Sequence, residues 1–228
     1  KDIAGHWAEN FIAILVDAGV IGGYPDGTFK PDNPITVAEF TVLVLKANDI
    51  SYGSNPQGTP WYQGIINAAI REGIIVKGEF TDYNRPITRG EIARMVVRAI
   101  DENPSSGKTI FKDDTQIPSN VKGFVKKANE LSIIGGYPDN TFKANNNATR
   151  AEATVMLTKM QGVKNGIEPQ PIEEIEEPII EEPIIEKPPV GDEEKLLQRL
   201  YDYPIDGEWA TEQYSENARH LVRNSKEW

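Results

Sequence analysis

The chain of 228 residues carries a net charge of −11, contains no cysteine and is 39% hydrophobic. Without cysteine it has no disulfide, no thiolate zinc site and no cysteine nucleophile. Residues 1–163 hold 17 basic and 18 acidic side chains, whereas residues 164–228 hold 7 and 17. A near-neutral first part and an acidic remainder offer no basic face, so we expect no nucleic-acid partner and no membrane partner. The sequence has no apolar run of about 18 residues, and it opens on "KDIAGHW" without a leader, so we expect a mature or trimmed chain.

Three related segments occupy the first two thirds of the chain. The segments "HWAENFIAILVDAGVIGGYPDGTFKPDNPITVAEFTVLVLKA" and "SNVKGFVKKANELSIIGGYPDNTFKANNNATRAEATVMLTKM" are collinear at a constant offset of 113 residues. Between them lies a looser copy, "PWYQGIINAAIREGIIVKGEFTDYNRPITRGEIARMVVRAI", which lacks the "GGYPDGTF" motif. The sequence therefore predicts three repeats, over residues 1–48, 55–102 and 110–163.

Each repeat has the pattern of a helix, a turn-rich loop and a second helix. In the first copy Phe11, Ile14, Leu15 and Ala18 follow helical spacing, and Gly19 is placed to end the helix in a left-handed conformation. The "GGYPDGTFKPDNP" segment then has the composition of turns. The second helix of every copy starts with a capping box, formed by Thr36 and Glu39, Thr88 and Glu91, and Thr149 and Glu152. Because two amphipathic helices cannot bury their apolar faces alone, we expect an all-α, pseudo-threefold bundle of three helix-loop-helix units.

The composition changes sharply after Gly166. The segment "IEPQPIEEIEEPIIEEPIIEKPPV" contains six prolines in 24 residues, which is typical of an extended spacer, so we assign residues 164–191 to an acidic, proline-rich linker. Its isoleucine pairs leave open that it docks on a partner instead. Residues 192–228 are too short to fold with confidence alone, and we interpret them either as a short helical interaction segment or as the beginning of a larger domain. The candidate contact region for a protein partner is residues 167–228.

An arginine opens the second helix in two copies, Arg89 and Arg150, where the helix dipole does not favour a cation. Free amides at a helix start together with a guanidinium form a site for one anion, so these arginines are candidate carboxylate or phosphate ligands. A surface pair with a nearby acidic residue is the alternative. Trp7 and Trp61 begin the first helices of copies one and two, where they either stack on a sugar ring or pack in the core.

The stretch "KDIAGHWA…LVDAGVIGGYPDGTFKPDNPIT" closely resembles the S-layer homology repeat, and three copies resemble the usual trimer of that family. The resemblance implies a secreted protein of the bacterial cell wall that binds a secondary cell wall polysaccharide, commonly with a pyruvate ketal on N-acetylmannosamine. In the family a Thr-Arg-Ala-Glu motif holds the ketal carboxylate. It is intact at Arg150, altered to "TRGE" at Arg89 and lost at Val37. The further sugar contacts that the resemblance implies, in grooves between repeats, are Asp2, Trp7, Trp61, Gly23 and Gly136.

No catalytic motif stands out: the sequence has no HExxH, no GxSxG and no glycine-rich phosphate loop, and neither His6 nor His220 has a motif around it. The "PDGTF" and "PDNTF" segments lack calcium-loop spacing. We therefore expect a non-catalytic anchoring module without metal or cofactor, with at most two competent grooves. Two alternatives are a structural subunit of a surface layer or appendage whose tail docks on a partner, and the anchoring part of a wall-associated hydrolase.

Overall fold

The computed structural model describes residues 2–166, so the predicted linker from Ile167 onward and the C-terminal segment lie outside the described residues. Within the described part the protein is all-α, as the sequence predicts, and its only β pairings are isolated bridges. The six helices are α1 (Glu9–Asp17), α2 (Val37–Ala47), α3 (Gln63–Arg71), α4 (Arg89–Ala99), α5 (Ser119–Glu130) and α6 (Arg150–Lys164). A 3₁₀ turn at Asp114–Gln116 precedes α5. None of these helices combines the length and apolar character needed to cross a bilayer.

The helices form three units, α1–α2, α3–α4 and α5–α6, and helices of different units pack against one another. The second helices α2, α4 and α6 pack together in the centre. Each first helix packs against the second helix of a different unit: α1 against α6, α3 against α2, and α5 against α4. The outer helices therefore lie across the boundaries between units.

Local sequence signals set the helix ends. All three predicted capping boxes are present; in the third, the Glu152 amide donates to Thr149 Oγ1 at 3.1 Å and the Thr149 amide donates to Glu152 Oε2 at 2.9 Å. Gly19 follows α1 with φ +69°, as predicted, and Gly73 follows α3 with φ +72°. Ser132 takes the same left-handed conformation after α5, although it is not glycine.

A ring of backbone hydrogen bonds closes the three units around a pseudo-threefold axis. Ile35 N–H donates to the carbonyl of Ala148 at 3.2 Å, Ala148 N–H donates to Ile87 at 2.9 Å, and Ile87 N–H donates to Ile35 at 2.9 Å. Each of the three residues is fully buried and directly precedes a capping threonine. The first and third units are therefore joined by the same kind of hydrogen bond as the units that follow one another along the chain.

Candidate functional site

The start of each second helix lies against the loop of another unit. The first amides of these helices donate to loop carbonyls, in the pairs Val37 with Arg85, Ala38 with Tyr83, Arg89 with Asn146, Gly90 with Ala144, Arg150 with Asn33 and Ala151 with Pro31. The third amide of each helix is held by its capping threonine. The expectation that free amides at the helix start contribute to an anion site is therefore wrong, because the protein's own oxygens already occupy them.

Arg89 extends from α4 into the loop of the third unit, where it is 1% exposed. Its Nε donates to the carbonyl of Phe142 at 2.9 Å, its Nη2 to that of Gly135 at 3.4 Å, and its Nη1 to Glu152 Oε1 at 2.7 Å. The guanidinium lies over the rings of Tyr137 and Phe142, at 4.5 and 4.8 Å from their centroids. Arg89 is thus a buried link between units.

The Tyr137 hydroxyl completes this cluster by donating to Glu152 Oε1 at 2.7 Å. Burial raises the pKa of the Tyr137 phenol to about 12; the charge of Arg89 opposes this shift and the hydrogen bond to Glu152 reinforces it. Glu152 therefore serves three groups, because it accepts from Arg89 and Tyr137 through one oxygen and caps α6 through the other.

Arg150 makes the equivalent insertion from α6 into the loop of the first unit, where it is 6% exposed. Its Nε donates to the carbonyl of Phe29 at 2.9 Å and its Nη2 to that of Gly22 at 3.0 Å. Its guanidinium carbon lies 4.9 Å from the centroid of Tyr24 and 4.7 Å from that of Phe29. Among residues 2–166, Nη1 has no hydrogen-bond partner and the guanidinium has no ion pair.

The two predicted tryptophans lie just before the first helices of their units. Trp7 shares a small groove with Arg89 and with α6; the groove is lined by Trp7, Arg89, Ile133, Ile134, Gly135, Glu152, Val155 and Met156. Trp61 occupies the matching position before α3, which packs against α2, and it is 54% exposed with an edge contact to Tyr62. Trp7 is partly buried against the core and also lines the groove. Its position is therefore compatible with both alternatives from the sequence, core packing and stacking on a sugar ring.

The remaining predicted residues support the loops. Asp2 accepts the amides of Phe29 at 2.8 Å and Lys30 at 2.7 Å with its two carboxylate oxygens, and these backbone hydrogen bonds lower the pKa of its carboxyl. Gly23 and Gly136 lie where the loop backbone closes tightly: a Cβ would come 2.8 Å from the carbonyl oxygen of Thr28 and 3.0 Å from that of Thr141, respectively. The carbonyls that contact the arginines belong instead to the preceding glycines, Gly22 and Gly135.

The third boundary has different chemistry. Val37 stands where the other two second helices carry arginine, and the corresponding loop carries Glu79 and Phe80 instead of the "GGYPDGTF" motif. Here Arg85 Nη2 pairs with Glu91 Oε1 at 2.6 Å. Burial raises the pKa of Glu91, but the hydrogen bonds from Arg85 and Thr88 outweigh it and leave the pKa lowered. Its helix start thus lacks the arginine, and the loop is instead approached by Arg94, which is 5% exposed and whose Nε lies 2.7 Å from Glu79 Oε1.

Comparison with known proteins identifies the first and third units. The model of the S-layer homology domain matches residues 1–41 and 110–154. The chain is 33% identical over 169 residues to an amylopullulanase of Thermoanaerobacterium thermosulfurigenes and 34% identical over 169 residues to exoglucanase XynX of Acetivibrio thermocellus; each alignment covers 69% of this chain. It is also 32% identical over 169 residues, or 68% of this chain, to an S-layer protein of Bacillus licheniformis.

The matched part spans only 9%, 16% and 18% of these three relatives. Enzymes and S-layer proteins therefore share this part with the chain. Residues 1–41 and 110–154 thus match the S-layer homology domain, which S-layer and other cell-surface proteins share, and this match together with the S-layer relatives indicates a location at the bacterial cell surface or cell wall.

Proposed function

We propose that the module binds a pyruvylated secondary cell wall polysaccharide through the inter-unit grooves that contain Arg150 and Arg89, and that it thereby tethers its cargo to the wall. The observation that carries this proposal is the state of Arg150. Its Nε and Nη2 are held by two backbone carbonyls, while Nη1 has no partner among residues 2–166. A positioned guanidinium with a remaining donor suits a carboxylate, which accepts charge-assisted hydrogen bonds.

The tryptophans add the second part of the recognition. Trp61, 54% exposed, offers an aromatic face on which the apolar side of a sugar ring stacks. Trp7 borders the groove of Arg89. A carboxylate ketal on a hexosamine presents both features at once, an anion for the guanidinium and an apolar ring face for the indole.

The test is a calorimetric titration of the 228-residue chain with a disaccharide of N-acetylmannosamine that carries a pyruvate ketal, and with the same disaccharide without the ketal. We expect binding of the pyruvylated sugar only, weakening at high salt because the central contact is an ion pair. Loss of a contributing arginine should lower the affinity, so Arg150→Ala and Arg89→Ala, each checked for folding by circular dichroism, show which groove dominates. Equal affinity for both sugars would rule out recognition through the carboxylate.

A second candidate function is that this module is the anchoring part of a wall-associated hydrolase. Two relatives that share this part are named as an amylopullulanase and an exoglucanase, and the chain spans 9% and 16% of them. Immunoblotting of wall extracts with an antibody against the module tests this candidate. A band much larger than 25.4 kDa that degrades a glucan in a zymogram would support it, and a band without such activity would argue against it.

A further inference from the structure

Two of the three unit boundaries carry the same types of residue at equivalent positions. The Arg89 groove comprises Trp7, Arg89, Tyr137 and Glu152. The equivalent positions around the loop of the first unit are Trp61, Arg150, Tyr24 and Glu39, and we call this set the Arg150 groove. In both grooves the arginine Nε donates at 2.9 Å to the carbonyl of a loop phenylalanine. The grooves differ in which groups accept hydrogen bonds from the Nη atoms of the arginine.

In the Arg89 groove the protein supplies its own carboxylate. Glu152 Oε1 lies 2.7 Å from Arg89 Nη1 and also accepts from the Tyr137 hydroxyl at 2.7 Å. The side chains of Arg89 and Glu152 are 1% and 11% exposed. All three guanidinium nitrogens of Arg89 therefore have acceptors, and an incoming carboxylate would have to displace Glu152 from a buried position.

In the Arg150 groove the equivalent glutamate is used differently. Glu39 Oε2 accepts the amide of Thr36 at 2.8 Å and its hydroxyl at 2.9 Å, and no ion pair joins Glu39 to Arg150 within residues 2–166. The tryptophan of this groove is also the more open one, since Trp61 is 54% exposed and Trp7 is partly buried. Within residues 2–166 a carboxylate that reaches Arg150 Nη1 therefore has no ion pair of the protein to displace.

We propose that the Arg150 groove is the primary carboxylate site and that Glu152 is an internal competitor that keeps the Arg89 groove in a low-affinity state. The proposal rests on the function proposed above and assigns unequal roles to two grooves that look alike in sequence. Displacing Glu152 would leave a buried carboxylate without its cation, and such a group is strongly unfavourable. The Arg89 groove should therefore bind weakly until this carboxylate is neutralised.

The decisive experiment is the binding stoichiometry of Glu152→Gln. Glutamine still accepts the capping amide but carries no charge to hold Arg89, so the variant should release the second site. In calorimetric titrations with the pyruvylated disaccharide we expect the wild-type chain to bind one ligand tightly and Glu152→Gln to bind two. The matched control is Glu91→Gln, which makes the same change in the capping box of α4, where the glutamate pairs with Arg85 and not with Arg89 or Arg150, and it should leave the stoichiometry at one.

Single-site variants measure the size of the effect. Arg150→Ala should reduce the affinity at least about tenfold, and adding Glu152→Gln to it should recover about tenfold, the scale of one charge-assisted hydrogen bond. If Arg150→Ala fails to fold, the stoichiometry of Glu152→Gln still decides, because that variant retains both arginines. Two equal sites in the wild type, or one site in Glu152→Gln, would overturn the inequality and leave the anchoring function intact. No binding by the wild type would overturn both proposals.

Discussion

Arg150 Nη2 donates to the carbonyl of Gly22 at 3.0 Å across 128 positions of the chain. The side chain thus joins the start of α6 to the loop that follows α1, at the boundary between the third and first units. The same guanidinium that we propose as the ligand contact is therefore also part of what holds the domain closed. Changes at this position should affect stability and binding together, and the two effects can be measured separately.

Replacing Arg150 by Met should lower the free energy of unfolding by about 1–3 kcal/mol, because the carbonyls of Gly22 and Phe29 lose a donor within the fold. Urea denaturation without ligand gives this value. Arg71→Met is the control: within residues 2–166 the exposed Arg71 pairs only with Glu72 and the carbonyl of Ser51, so the change should stay within about 0.5 kcal/mol. Equal losses in the two variants would contradict a closing role for Arg150.

Glu152→Ala should be more destabilising than Glu39→Ala. Both variants lose a capping box, which is worth about 1 kcal/mol. Only Glu152→Ala also leaves Arg89 buried without its carboxylate, a loss of about 3–5 kcal/mol. Urea denaturation of the pair measures the difference directly, and similar midpoints would mean that the Arg89–Glu152 pair contributes little to the fold.

The hydroxyl of Tyr137 should give the domain an alkaline limit. Its pKa rises from 10.0 to about 12 in the fold, so the neutral phenol is favoured there. The corresponding stability is fully present below pH 10 and is lost as the pH rises towards 12. Tyr137→Phe should show a smaller fall in thermal unfolding temperature over this range, and its ultraviolet titration should lack one phenol that ionises near pH 12. Superimposable stability profiles would refute the assignment.

Two adjacent glycines should respond differently to alanine. A Cβ on Gly23 would come 2.8 Å from the carbonyl oxygen of Thr28, closer than non-bonded atoms tolerate, whereas a Cβ on Gly22 would meet nothing within 4 Å. Gly23→Ala should therefore cost about 1–3 kcal/mol by displacing the loop. Gly22→Ala should change stability by less than about 1 kcal/mol. Thermal denaturation of the two variants compares their stabilities. Equal unfolding temperatures would contradict the tight contact between Gly23 and the carbonyl of Thr28.

Local signals in the sequence were sufficient to predict where the helices begin and end. The capping boxes at Thr36, Thr88 and Thr149, and Gly19 at the end of α1, involve residues within four positions of one another, so their structural consequence follows from spacing. The repeat pattern also indicated a shared core. In contrast, the exchange of first helices between units has no local signature, because it depends on which apolar faces meet after the chain has folded back.

The burial and the hydrogen-bond partners of the two arginines could not be predicted from local sequence patterns. Arg89 finds its acceptors 46 to 63 positions away and Arg150 finds them 121 and 128 positions away, so no local pattern shows that they are buried. One signal was present: the two loops with the Gly-Gly-Tyr-Pro-Asp motif receive the two arginines, and the loop without the motif faces Val37. Matching loops to helix starts in this way would have indicated the cyclic order of the units.

The ring of hydrogen bonds through Ile35, Ile87 and Ala148 has a consequence for how the domain assembles. In an open solenoid each repeat depends only on its neighbours, so folding can spread from one end and partial arrays persist. Here the contact between the first and last units spans more than a hundred positions, which makes closure entropically demanding and late. We expect all-or-none unfolding of this domain, and a fragment of two units should not survive as a folded intermediate.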